Sequence, residues 1–194
     1  MTDPVAQGVA GIQLALSELA ATAERTAALL EQELAAALEL VRDTVASGGT
    51  LFFCGNGGSA ADAQHMATEY VVRYRRNRRA YPAIALTTDS SLLTAAGNDL
   101  GFDHIFSRQV QALGKSGDLL IIHSTSGRSQ NVILAAMAAR ETGLRVLSLT
   151  ARDGGDLPAL SDVCLVVPTN RTDRAQEMHM CIEHAICDII EATL

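Results

Sequence analysis

Thr50-Leu51-Phe52-Phe53-Cys54-Gly55-Asn56-Gly57-Gly58-Ser59-Ala60-Ala61-Asp62 begins as an apolar strand, turns through three glycines and continues as a helix to about Arg73. A short apolar run bounded by turn residues reads as a buried strand. The same plan recurs downstream: a strand at Asp118–His123, a loop at Ser124–Ser129, and a helix from about Asn131 to Thr142. Pro82–Thr87, Leu144–Leu149 and Asp162–Val167 read as three more strands. Ser90–Ala96 opens another helix, and Thr172–Thr193 closes the chain as a helix. Apolar strands alternating with helices predict an α/β fold, a three-layer αβα sandwich around a five-stranded parallel sheet.

Upstream of this pattern, residues 1–47 read as one helical arm. Leu16, Leu19, Ala23, Leu30, Leu34, Leu38, Val41 and Val45 recur at helical spacing, and Gly48-Gly49 stops the run. Such a stripe can cover the core or join helices of other subunits. The expected division is therefore an arm at 1–47, placed in an oligomer interface, and one domain at 48–194.

The 194 residues carry 15 Lys and Arg against 22 Asp and Glu, a net charge of -7, which argues against a nucleic-acid-coating protein. Aromatics are 4% and Trp is absent, which disfavours stacking platforms for single strands. No apolar run approaches the roughly 20 residues that span a bilayer, and no signal peptide is apparent. Cys54, Cys164, Cys181 and Cys187 form no CxxC pair and read as reduced thiols, so a cytoplasmic home is the simplest expectation. The run Arg73, Arg75, Arg76, Arg78 and Arg79 reads mainly as a solvated loop, with the option that one arginine clamps an anionic substrate.

Both glycine- and serine-rich loops suit phosphate. Glycines let the backbone approach an anion, and a helix N-terminus offers free N–H groups and a positive dipole end. Gly55-x-Gly57-x-x-Ala60 also fits a loose dinucleotide fingerprint, but the acidic partner expected about 20 residues on is missing; Asp89 comes 29 residues after Ala60. In Ser124-Thr125-Ser126-Gly127-Arg128-Ser129 four hydroxyls fall within six residues. A helix N-cap would need only one of them.

His65 and Glu69, spaced i, i+4, share a helix face. Gln176, Glu177, His179, Glu183 and His184 crowd the last helix. Two histidines, a carboxylate and an amide oxygen could bind a divalent cation such as zinc with a position left open, or act as an acid/base pair with helpers. Spacing alone leaves Gln176 and Glu177 as alternatives, Glu177 being the better single-face match to His184.

Taken together, Cys54–Asp62, Arg73-Tyr74-Arg75, Tyr81–Ala85, Gly97-Asn98-Asp99, Phe106-Ser107-Arg108, Ser124–Ser129 and Asp173–His184 resemble the phosphoheptose isomerases, single sugar-isomerase (SIS) domain proteins with a flavodoxin-like sheet. The similarity covers about residues 48–194. It implies isomerisation of D-sedoheptulose 7-phosphate to D-glycero-D-manno-heptose 7-phosphate through a cis-enediol, the first step towards nucleotide-activated heptose, as in lipopolysaccharide biosynthesis. It also implies a homotetramer with active sites built from more than one subunit. The resemblance assigns phosphate to Ser59, Ser124, Thr125, Ser126 and Ser129, beside the backbone of Gly57 and Gly58. Asn56, Asp62, Arg73, Asn98, Asp99 and Asp173 would hold the sugar or order the site. One zinc per subunit would fall to His65, Glu69, Gln176 and His184, so the resemblance selects Gln176 over Glu177. Glu69 and His184 would be the general acid and base.

Arg128 stands where many relatives have Asn or Lys, and either faces solvent or adds charge near the phosphate. The alternatives are a non-enzymatic SIS tetramer that binds the replication initiator, and a sugar-phosphate-sensing module. The first shares the Gln176–Met180 stretch, but the retained His184 and intact serine loops favour the isomerase. The second would not need His65, Glu69 and His184 together. A dinucleotide-dependent dehydrogenase would need a substrate domain for which no chain is left.

Overall fold

The computed structural model describes residues 3–194; Met1 and Thr2, the start of the expected arm, lie outside the described residues. Seven helices and five strands follow one another as α1 (Pro4–Leu29), α2 (Glu31–Ala46), β1 (Leu51–Gly55), α3 (Gly58–Val71), β2 (Ala83–Ala85), α4 (Ser90–Asp99), α5 (Ser107–Leu113), β3 (Leu119–His123), α6 (Gln130–Glu141), β4 (Arg145–Ala151), β5 (Val163–Val167) and α7 (Thr172–Thr193). The sheet is entirely parallel, in the order β2-β1-β3-β4-β5. That is the flavodoxin-like winding, whose reversal of strand order between β1 and β3 leaves a crevice at their carboxyl ends. The expected three-layer fold is the observed one.

Alternate strand residues feed two cores, as the period-2 geometry of a strand requires. Leu51, Phe53, Leu119 and Ile121 pack with side chains of α2, α3 and α7. Phe52, Cys54, Leu120 and Ile122 pack with those of α4, α5 and α6. Phe53 is completely buried, and burial of such a ring stabilises by about 2–3 kcal/mol.

Several expectations are corrected. The arm is two helices rather than one, broken at Leu30 (φ -113, ψ 24). No Gly or Pro marks the break; packing imposes it, because Leu34, Leu38 and Val41 turn onto the core that Leu19 and Ala23 reach from α1. Strand β2 is only three residues long at the sheet edge, not Pro82–Thr87. Helix α5, between Gly101 and Gly114, is too short for periodicity to reveal. In the arginine run Arg73, Arg75, Arg76 and Arg79 are exposed as expected, and Arg78 is the exception. Its side chain is buried, with Nε 3.0 Å from Glu191 Oε1 and the guanidinium 4.0 Å from the centre of the Tyr81 ring.

Candidate active site

Strands β1 and β3 are neighbours, so their loops open side by side. Gly57 adopts φ +59, a conformation that other residues rarely take, and starts α3 immediately after β1. Gly58 is needed for space: a Cβ there would lie 2.5 Å from Gln176 Nε2 on α7. Asn56 and Asn131 exchange two amide hydrogen bonds of 2.8 Å each, tying the β1 loop to the start of α6.

Between the loops lies a cavity of about 240 Å³ lined by Asn56, Gly58, Ser59, His123, Ser124, Thr125, Ser126, Ser129, Thr172 and Gln176. Ser129 sits at the N-cap of α6, yet its side chain makes no capping bond. The capping explanation for the hydroxyl cluster therefore fails at the very residue placed to cap. Ser124 Oγ accepts from Gly127 N at 3.1 Å and Ser126 Oγ from Arg128 N at 3.3 Å, which shapes the loop. Gln176 Nε2 donates to Ser59 Oγ at 3.4 Å.

A second cluster joins α3 to α7. His65 Nε2 lies 3.1 Å from Glu69 Oε1 and 3.4 Å from His184 Nε2. The three ligand atoms lie within 4.8 Å of one another. Donors on a tetrahedral ion with bonds of about 2.0–2.1 Å stand roughly 3.3 Å apart, so the trio fits a zinc-sized ion. Tyr74 stacks on His184 with ring centres 5.2 Å apart and holds its orientation. Burial lowers the His184 pKa and the neighbouring His65 lowers it further, against the pull of Glu69, which favours the neutral ring a ligand or base needs.

Beneath the cradle lies a buried polar group that spacing did not reveal. His123 Nε2 is 2.5 Å from Glu183 Oε2. Burial alone would lower the His123 pKa, but the Glu183 carboxylate outweighs it and leaves the pKa raised. Asp62 has a buried oxygen, Oδ2, with no partner. Burial raises its pKa and Glu183 adds to the effect, against His123 and His65. Asp62 does not itself line the cavity.

The last helix thus separates residues that sequence spacing could not. Glu177 pairs with Arg174, Glu183 with His123, and His179 bonds to the Thr150 carbonyl at 3.0 Å. Burial pushes the His179 pKa down to about 3, so it is a neutral core residue. Gln176 lines the cradle and His184 joins His65 and Glu69. Gly57, Asp62, Arg73, Asn98, Asp99 and Asp173 do not line the cavity. Arg73 bonds to Asn77, Asn98 to Asp99, and Asp173 to Arg171. Arg128 turns to Asp153 in a two-bond pair of 2.7 Å each, on the solvent side. Sequence reasoning missed Asn131, Thr172 and Tyr74 as site residues. The Asn at the second place of α6 was the only local signal for one of them.

A two-loop cradle beside a His–Glu–His cluster on a parallel sheet can be compared with known proteins. The SIS domain profile matches residues 16–151. A phosphoheptose isomerase of Aliarcobacter butzleri is 53% identical over 85% of this chain and 87% of its own length. This chain belongs to the phosphoheptose isomerase family. The solved phosphoheptose isomerase of Neisseria gonorrhoeae superposes with a TM-score of 0.88 at 45% identity, covering 94% of this chain and 97% of that one. That of Francisella tularensis reaches 0.91 at 34% identity over the full length of both chains. Among the described residues no helix is long and apolar enough to cross a membrane.

Proposed function

We propose that the protein converts D-sedoheptulose 7-phosphate to D-glycero-D-manno-heptose 7-phosphate. The observation that carries this reading is that α3 and α7 each bear both halves of the site. Ser59 and His65 are six residues apart on α3, roughly 9 Å, and Gln176 and His184 are eight apart on α7, roughly 12 Å. An open-chain sugar phosphate held in the cradle by Ser59, Ser124, Thr125, Ser126 and Ser129 extends its far end towards Glu69 and His184.

Ketose–aldose exchange takes a proton from C1 and returns one to C2 through a cis-enediol. Glu69 and His184 are the pair for these transfers. Asp62, within the field of His123, Glu183 and His65, would order the site from beneath. His65, Glu69 and His184 would hold one zinc ion, with Gln176 as the fourth ligand once its amide turns from Ser59; when bound, the ion would supply charge stabilisation for the enediolate oxygens. The phosphate, remote from the reacting carbons, orients the chain.

The assembly would be a homotetramer with shared sites, to which Arg73, Asn98, Asp99 and Asp173, outside the cavity of their own protomer, would contribute from a neighbouring subunit. The reaction is the first step towards nucleotide-activated heptose, as used in lipopolysaccharide. Four free thiols are in keeping with a cytoplasmic setting.

Proton NMR of the protein with sedoheptulose 7-phosphate in D2O, with and without zinc, tests the reading. The expected result is a new aldose anomeric signal with deuterium at C2, and a faster reaction with zinc. An unchanged ketose under both conditions would overturn it and favour sugar-phosphate sensing or partner binding.

A further inference from the structure

The cradle is short of positive charge. Its lining is hydroxyls, amides and backbone apart from His123, which is paired with Glu183. A phosphate monoester brings nearly two negative charges at neutral pH. The arginines nearby are committed to carboxylates: Arg128 to Asp153, Arg171 to Glu18 and Asp173, and Arg174 to Asp173 and Glu177.

Arg152 is the exception. It is exposed and its side chain makes no ion pair among the described residues; its Nη2 donates instead to Thr172 Oγ1 at 3.3 Å, and Thr172 is part of the cradle wall. It directly follows β4, at the carboxyl end of the strand next to β3. Its backbone is also unusual. At φ 62 it is the single non-glycine residue with positive φ among the described residues, pinned by a 3.1 Å bond from its N–H to the Thr169 carbonyl. Left-handed backbone is costly for a residue with a Cβ and concentrates at ligand clamps.

We propose that Arg152 is a phosphate-binding residue that supplies the cation the hydroxyl cradle lacks. On entry of a phosphate monoester, its guanidinium exchanges the neutral Thr172 hydroxyl for phosphate oxygens, which its planar fork suits. The proposal rests on the reading of the cradle as the phosphate site.

The test compares Arg152→Gln, Arg152→Lys, Arg152→Gly and, as a control on the cradle itself, Ser129→Ala. The readouts are KM and kcat on sedoheptulose 7-phosphate, the Kd of inorganic phosphate, and Tm. Arg152→Gln and Arg152→Gly are expected to raise KM and the phosphate Kd by about 10-fold, with kcat within about twofold. Arg152→Lys should recover part of the loss. Arg152→Gly should hold Tm or raise it by about 2–4 °C, because glycine relieves the strained backbone. A Tm that falls with Arg152→Gly would mark a merely structural role and overturn the proposal. Unchanged KM in Arg152→Gln, with a raised KM in Ser129→Ala, would overturn Arg152 alone and leave the cradle standing. Unchanged KM in both would overturn the cradle reading as well.

Discussion

Thr125, half-buried at the mouth of β3, has a hydroxyl with no hydrogen bond among the described residues, whereas its neighbours Ser124 and Ser126 spend theirs on the loop backbone. A polar group left without a partner in a cavity is held for a ligand. Replacing Thr125 by Val keeps the shape and removes only the hydroxyl. Steady-state kinetics should show KM raised by about 5–20-fold, with Tm unchanged. At this scale the sequence was informative where chemistry is local. Ser59, Ser124, Thr125, Ser126 and Ser129 gather as their loops foretold, and His65 and Glu69 meet because i, i+4 neighbours must. What stayed hidden was decided across long separations. His123 and Glu183 are 60 residues apart, and Asn56 and Asn131 are 75 apart. Nothing in either local context names the partner.

Among the elements, α7 carries the most. One face lines the cradle, one meets the His–Glu cluster, and its end anchors the chain after α3. There Glu191 accepts the backbone N–H groups of Tyr74, Arg75 and Arg76 at 2.9, 2.6 and 2.7 Å, beside the buried Arg78. Burial pushes the Glu191 pKa up, but those donors and the guanidinium outweigh it and hold it below its ordinary 4.5. A carboxyl whose pKa is lowered by folding stabilises fully above its unfolded value and loses that contribution as pH falls through the folded one. Glu191→Gln should therefore lower Tm by about 6–12 °C at pH 7. Thermal melts of the two proteins should converge as the pH drops below 4.5, and a gap that persists in acid would contradict the assignment. The element pattern was legible for the core strands and for α7, whose bounds match the expected ones. It failed at Leu30, where packing bends a sequence with no breaker, and at α5, whose seven residues are too few to show a period.

For the molecule as a whole, Val5, Val9, Ile12 and Leu16 recur at helical spacing along α1 and are 71, 48, 63 and 61% exposed. Residues from Leu19 onward reach the core of their own protomer, but this stripe does not. An apolar groove of about 480 Å³ opens between the α1–α2 pair and α7 and includes Leu34, Met178 and Ile189. Apolar stripes of this kind mark subunit contacts. The variant Ile12→Glu/Leu16→Glu should sediment as a smaller species than the parent protein. If sites are shared, it should lose activity in proportion to the loss of the proposed tetramer, while its far-ultraviolet circular dichroism stays that of the folded protomer. A variant that dissociates and keeps full activity would show each protomer to be complete.

The paired amides of Asn56 and Asn131 set a limit on how the protein ages. Asn56 is followed by Gly57, the neighbour that least hinders attack of the next backbone nitrogen on an asparagine side chain, so this position is chemically the most perishable in the cradle. Its amide is bonded on both sides to Asn131, which holds it away from the reactive geometry while the fold is intact. Conversion to aspartate would set a carboxylate against the side-chain carbonyl oxygen of Asn131 and place a negative charge in the proposed phosphate site. A deamidated molecule would repel the anion that the cradle is proposed to hold.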